Sequence, residues 1–337
     1  MNHPATSAQE RFAWIALAAA LVAYPLLLWR YIEANSATFD EAQHLTAAYS
    51  YWHCGDYGVN PEHPPLVKLV AGIPLRSRRL ATFAGGCSSV IRTGKTAAES
   101  KMDEMAVAYR VMNEPDAVEL LTSARRGLLV FPLLLLLTVF FTARAWFGPM
   151  AAGWAVLLTL LDPNLTAHSV LLTTDVPLTA ATLLSLLCAW RFCRGPHWTT
   201  VLCLGLALGL ALAVKHSGVL VPIVALLECA VYALSTHGAR IRLLTKLSAG
   251  WIAACVVAIV VLWSVYQFRF AALPGAPALG VAAVVEESGM AHGFFGRLVD
   301  FLAAHRLLPE AYLDGFVYVL HNTSKSTYTF SGVTRRP

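Results

Sequence analysis

The 337-residue sequence is short of charge. Asp, Glu, Lys and Arg make up 13% of it, about half the roughly 25% of an ordinary soluble domain. A water-soluble fold this poor in charge cannot cover its own surface, so most of the chain faces lipid. Compositional disorder is excluded too, because 57% apolar residues is far too many for a solvated chain. Long blocks of like charge are also missing. The net charge is +5, but Lys and Arg stand in ones to threes between apolar runs. That distribution is a topology signal and leaves no footprint for nucleic acid. Internal repeats and low-complexity tracts are lacking as well.

Seven cysteines form no framework, and no CxxC pair occurs. Cys188, Cys203, Cys229 and Cys255 lie inside apolar runs, where cysteine acts as a small hydrophobe. Cys54 and Cys87 share the first long polar segment. They pair only if that segment faces an oxidising compartment and brings the thiols within bonding distance, which sequence does not decide.

What the chain has is apolar runs of membrane length. Phe12–Trp29, flanked by Arg11 and Arg30, rises about 27 Å as a helix, enough for one crossing. It is too long for a cleaved signal peptide and lacks a small-residue cleavage site. Six more runs follow: Gly127–Phe141, Met150–Leu165, Val176–Trp190, Val201–Val214, Val219–Leu234 and Leu247–Tyr266. Pro64–Leu75 is apolar but short, and is expected to lie along the surface or dip partway in. The expected fold is an all-α polytopic membrane protein with about seven transmembrane helices and a large first external loop carrying amphipathic helices.

Basic residues orient it. With the N-terminus in the cytoplasm, the inner connections hold Arg144, then Arg191 and Arg194, then Arg240, Arg242 and Lys246. The outer segments hold Asp40, Glu41, Asp56, Glu62, Asp162, Asp175, Glu286 and Glu287 among others. Two large segments then lie outside, one from about residue 31 to 126 and the other from about 267 to the end. The chain thus divides into a transmembrane core, 1–266, that includes external loop 31–126, and an external segment, 267–337. The first external segment carries a polar stretch from Arg92 to Glu119. The second carries the Pro/Gly-rich Leu273–Gly280 and an amphipathic stretch, Phe294–Leu308, expected to lie on the membrane.

Ionisable residues at or near the membrane mark functional candidates, because holding them there is costly. Three places qualify. Asp40 and Glu41 follow the first span; one of two adjacent carboxylates suits a general base, while the residues alone also suit a solvated helix start with Thr38 or Asp40 as N-cap. Asn60-Pro61-Glu62-His63-Pro64-Pro65 is a stiff segment that fixes Glu62 and His63 on the membrane surface, or else a plain turn into an interfacial helix. A divalent metal is conceivable from His44, Glu62 and His63, but no recognised ligand spacing supports one, and no cofactor is certain. The third place joins Asp175, at the start of the fourth span, with Lys215-His216-Ser217-Gly218. Asp175 also suits a helix cap, and Lys215 a snorkelling lysine. One topology brings Asp40, Glu62, Asp175 and Lys215 to the same membrane face. Carboxylates opposite a cation there suit a reaction that deprotonates a hydroxyl while a phosphate departs. A transporter or lipid-handling protein without chemistry is the alternative, but its charges would sit near the midplane, often with repeat symmetry.

This arrangement resembles the integral-membrane glycosyltransferases of the C-type fold that use polyprenyl-phosphate sugars, including protein O-mannosyltransferases and lipid A aminoarabinose transferases. The matching residues are Phe39-Asp40-Glu41-Ala42-Gln43-His44 and Glu62-His63-Pro64-Pro65-Leu66. Downstream they are Arg125, Thr174-Asp175-Val176-Pro177-Leu178, Lys215 with Ser217-Gly218, and Pro309-Glu310-Ala311-Tyr312 with Gly315. The resemblance implies a hexosyl- or pentosyltransferase with Asp40 as catalytic base and Glu41 in support. Glu62, His63, Asp175 and His216 would shape the substrate site, and Lys215 would meet the donor phosphate. It implies a polyprenyl-phosphate sugar donor, a protein, lipid or glycan acceptor, and contact with membrane lipid. The expected location is a bacterial inner (plasma) membrane, with the site facing outside. Relatives usually continue into further spans, so the sequence is expected to be a truncated or minimal version.

Overall fold

The computed structural model describes residues 7–87, 97–236, 240–275, 279, 281, 285–286, 289, 293–325, 328–330 and 333–335. Arg92, Gly280 and Glu287 lie outside the described residues. Every apolar run named above is helical, as it must be where lipid offers backbone amides no partner. Helix α1 spans Ser7–Ala34. At 28 residues it is about 42 Å long, so its polar ends extend beyond the ~30 Å hydrocarbon layer that the apolar run Phe12–Trp29 crosses. The first external segment holds α2 (Phe39–His53), α3 (Leu66–Gly72) with a 3₁₀ turn at Ile73–Leu75, and α4 (Ala97–Met112). Then come α5 (Ala117–Gly127), α6 (Val130–Phe147), α7 (Pro149–Leu161) and α8 (Pro163–Ser169). The bundle ends with α9 (Asp175–Arg194), α10 (Trp198–Val214), α11 (Leu220–Ser235) and α12 (Arg240–Val265).

Among the described residues, five helical stretches are long and apolar enough to cross a membrane: Ser7–Ala34, Ala117–Phe147, Asp175–Arg194, His216–Ser235 and Thr245–Val265. The other two expected spans, α7 and α10, are apolar but shorter. The Met150–Leu165 run breaks at Asp162, whose carboxylate accepts from the Leu165 amide at 2.8 Å and caps α8, with Pro163 in the first turn.

Close helix packing rests on small residues. Gly205 and Gly209 stand one turn apart on α10 and face α12. A Cβ at Gly205 would sit 2.6 Å from Val257 Cβ, and one at Gly209 2.5 Å from Val261 Cβ. A Cβ at Gly153 of α7 would meet the Phe12 ring of α1 at 2.4 Å. Two apolar cores result. One joins α9, α10, α11 and α12 around Phe192, Leu208, Ala225 and Ala258; the other joins α1, α6 and α7 around Leu17, Leu28, Phe140 and Val156.

The first external segment has its own core, which Leu45, Tyr49, Val67, Leu75, Val107 and Leu120 build with Leu172 and Val214 from the bundle. Cys54 and Cys87 are joined by a disulfide that ties the end of α2 to the turn after Phe83. Beyond the bundle lie α13 (Phe294–Ala304), α14 (Glu310–Lys325) and one antiparallel strand pair, Tyr328–Phe330 with Val333–Arg335, a small addition to the all-helical expectation. Helix α13 buries Gly296 and Val299 and exposes Phe294, Phe295, Leu298 and Phe301, so its apolar aromatic face is free.

Candidate functional site

The site is assembled at the start of α2. The Glu41 carboxylate accepts from the Thr38 amide at 2.8 Å and the Thr38 hydroxyl at 3.0 Å, the reciprocal half of a capping box. Fully buried, it also accepts from Arg125 Nε at 2.8 Å, Arg125 Nη2 at 2.6 Å and the Leu172 amide at 2.7 Å. Burial by itself would raise its pKa; the bonds from Arg125, Leu172 and Thr38 outweigh that and hold it below the ordinary carboxylate range. Arg125 gives two further donors to the carbonyls of Asn35 and Ser36, at 2.8 and 2.9 Å. Glu41 is therefore a knot between α2, α5 and the segment before α9. Asp40, beside it, is exposed, and its carboxylate has no partner among the described residues.

The Asn60–Pro65 turn packs against this helix. Asn60 is left-handed (φ 51°), a conformation its short amide tolerates better than most side chains. Fully buried Lys68 of α3 holds the turn, its ammonium donating to Asn60 O at 2.5 Å, His63 O at 2.6 Å and Asn60 Oδ1 at 3.2 Å. Burial lowers the Lys68 pKa to about 7. Glu62 turns to Lys101 of α4, which also bonds Gln43 and, at 3.2 Å, Glu104. Burial would lower the Lys101 pKa, but Glu104 and Glu62 outweigh it and push it up.

His63 lies against His44 of α2, with ring centroids 5.1 Å apart. Burial is the main cause that depresses both rings, His44 to about 3, so both are neutral. His216 donates from Nε2 to the Pro61 carbonyl at 3.0 Å and meets Tyr312 edge-on at 4.9 Å. Among the described residues, the buried Nδ1 atoms of His44, His63 and His216 and the Thr173 hydroxyl have no hydrogen-bond partner.

Two glycines allow these approaches. A Cβ at Gly218 would sit 2.1 Å from the Ala211 carbonyl, so only glycine lets the chain turn back on α10 and present Lys215 and His216. A Cβ at Gly315 of α14 would sit 1.7 Å from the Pro61 carbonyl, so α14 lies directly on the turn. Glu310, at the start of α14, accepts from the amides of Leu279 at 2.7 Å and Ala272 at 3.2 Å and fastens the segment that follows α12.

Lys215 donates to Asp175 Oδ1 at 2.7 Å, and both remain partly exposed. Thr174, not Asp175, is the N-cap residue of α9, so the Asp175 carboxylate is spent on Lys215. The structure thus joins Asp175 to Lys215, His216 to the Glu62–His63 turn, and Glu41 to a segment three residues before Asp175. It separates the roles of the first pair: Glu41 is consumed by Arg125, whereas Asp40 stays open. Among the described residues, no three His, Cys, Asp or Glu side chains are arranged to hold a metal ion. Lys68 and Lys101 were missed from sequence, because a lysine within an apolar stretch and one within a charged stretch each look like solvated cations.

Residues 117–266 match the family model of dolichyl-phosphate-mannose-protein mannosyltransferases. Over these residues the match bears out the resemblance drawn from the sequence, and it supports a membrane glycosyltransferase of mannosyltransferase type that takes its sugar from a polyprenyl phosphate. The matched stretch carries Arg125, Asp175, Lys215 and His216; Asp40, Glu62 and His63 precede it. No curated protein and no solved structure is significantly similar to the chain.

Proposed function

We propose that this chain transfers a hexose or pentose from a polyprenyl phosphate to a hydroxyl acceptor at the outer face of a bacterial inner membrane. Asp40 takes the acceptor's proton as its oxygen attacks the anomeric carbon. The bond from that carbon to the phosphate oxygen breaks, its electrons stay on the phosphate, and Lys215 offsets the growing negative charge. A fixed cation in a partly shielded site is worth far more than one in bulk water. Glu41 is the positioning residue that keeps the start of α2, and so Asp40, fixed. The unpaired nitrogens of His44, His63 and His216 and the Thr173 hydroxyl are covered, and would meet a hydroxyl-rich sugar only once the side chains over them shift.

What supports this reading is an exposed carboxylate at Asp40, one turn before His44 on α2, together with the His44–His63 ring contact and the partly exposed Lys215–Asp175 pair. The outward orientation is supported by the basic inner connections and by the Cys54–Cys87 disulfide, a bond that persists in oxidising compartments. The test incubates membranes containing the full chain with a panel of radiolabelled polyprenyl-phosphate sugars. One donor is expected to be consumed, with label appearing on a protein, lipid or glycan. If wild-type and Asp40→Asn membranes consume every donor equally, the reading fails.

A further inference from the structure

At the far end of α2 lies a cavity of about 850 Å³ that the transfer chemistry does not use. Asp40 and His53 are thirteen residues apart on this helix, so the cavity is about 20 Å along its axis from the proposed base. Among the described residues its lining includes Arg76, Arg78 and Arg79 and no acid. Arg78 is matched by Glu119. Arg76 and Arg79 are exposed; Arg76 is aligned by the Trp52 ring, with its guanidinium carbon 4.4 Å from the centroid, and Arg79 has no partner among the described residues.

The walls are fixed before anything binds. The Trp52 indole donates to Leu69 O at 2.9 Å, which holds the ring under Arg76. Tyr49 stacks on His53 at 3.9 Å and its hydroxyl accepts from the Leu80 amide at 3.2 Å. Cys54 and Cys87, both in the lining, are tied by the disulfide. Immediately before the arginines, α3 and its 3₁₀ turn form an apolar segment too short to span, with Ile73 half exposed. Beside it, Val70, Ile73, Pro74 and Gly127 line a largely apolar groove. Apolar surface next to unpaired guanidiniums fits a ligand with hydrocarbon on one side and a phosphate on the other. Guanidinium matches phosphate geometry with two parallel donors.

We propose that this cavity binds the phosphate headgroup of an anionic membrane lipid, with Arg76 and Arg79 as its cations and the Ile73 ledge beside the acyl chains. The site is separate from the one that takes the sugar donor.

The test uses the purified full chain in detergent and titrates it with short-chain phosphatidylglycerol, phosphatidylcholine and inorganic phosphate, with binding read by native mass spectrometry and calorimetry. One phosphatidylglycerol is expected to be retained more tightly than either alternative. A surface arginine contributes about five- to sixfold toward an anionic lipid, so Arg76→Gln with Arg79→Gln should weaken binding about thirtyfold. Arg79→Gln alone, which breaks no contact among the described residues, should weaken it about fivefold and guards against misfolding of the double variant. Wild-type affinity in both variants, or equal binding of phosphatidylcholine, overturns the proposal. Inorganic phosphate that binds as tightly as phosphatidylglycerol, and through the same arginines, also overturns it and assigns the cavity to a free anion.

Discussion

Arg125 closes two nitrogens on the Glu41 carboxylate, Nε on one oxygen at 2.8 Å and Nη2 on the other at 2.6 Å, with both side chains out of reach of water. The pair is separated by 84 residues of sequence and joins the start of the first external helix to the helix that leads into α6.

Breaking this pair should be costly. Glu41→Gln strands a buried guanidinium, and Arg125→Met strands a buried carboxylate; each should cost about 3–5 kcal/mol. The double variant should cost less than the sum. Thermal unfolding in detergent measures this, and strict additivity would show that the two side chains act separately. The pH sign follows from the lowered pKa of Glu41. Its contribution is complete above the unfolded value of about 4.3 and fades as pH falls through the lower folded value. Glu41→Gln should therefore differ most from wild type above pH 5 and least in strong acid.

Asp40→Asn should cost at most about 1 kcal/mol of stability, because the carboxylate is exposed, unpaired among the described residues and acts only on the first turn of α2. Turnover should fall by ~10²–10⁴, the usual contribution of a general base. Single-turnover transfer with a labelled donor reads this directly. Near-normal turnover would reduce Asp40 to part of a helix start.

Lys215→Met should cost at most about 1 kcal/mol of stability, since its ion pair with Asp175 is partly solvated. Turnover should nevertheless drop strongly and donor affinity moderately, with Lys215→Arg in between. Initial rates across donor concentrations separate the two effects. A fully active Met variant would mean that this lysine only snorkels.

Lys68→Met should loosen the turn that carries Glu62 and His63. It strands the buried carbonyl of Asn60, at about 1–3 kcal/mol, and takes a donor from the partly buried carbonyl of His63. Thermal stability and transfer rate should fall together, and backbone amide exchange should accelerate across residues 60–63. Unchanged exchange there would show that the prolines alone hold the turn.

Much of the arrangement was legible in the sequence. Asp40, Asp175 and Lys215 stand out as charges beside long apolar runs, and one topology aligns them. The Asp175–Lys215 contact follows from α9 and α10 meeting at the same end of the bundle. Lys68 was not legible, because its burial depends on Asn60 turning left-handed and folding back eight residues earlier. Nor was the bond from Lys101 to Gln43, made across 58 residues by α4 docking on α2. The division of labour between Asp40 and Glu41 also needed the fold, since only Arg125 distinguishes two adjacent acids. One signal was available and unused: Gly205 and Gly209, four apart in an apolar helix, mark the close contact of α10 with α12.

The seat of Gly315 on the Pro61 carbonyl has a consequence for how the protein is made. The turn bearing Glu62 and His63 leaves the ribosome about 250 residues before the helix that lies on it. At about 5–20 residues per second, that is an interval of roughly 12–50 s. During it the histidines and the Asn60 turn stand uncovered while the bundle helices from α6 to α12 still await insertion. The stretch from Cys54 to Cys87 is complete early in that interval, so an oxidase can close the disulfide and hold the first external segment in shape before its covering helix exists.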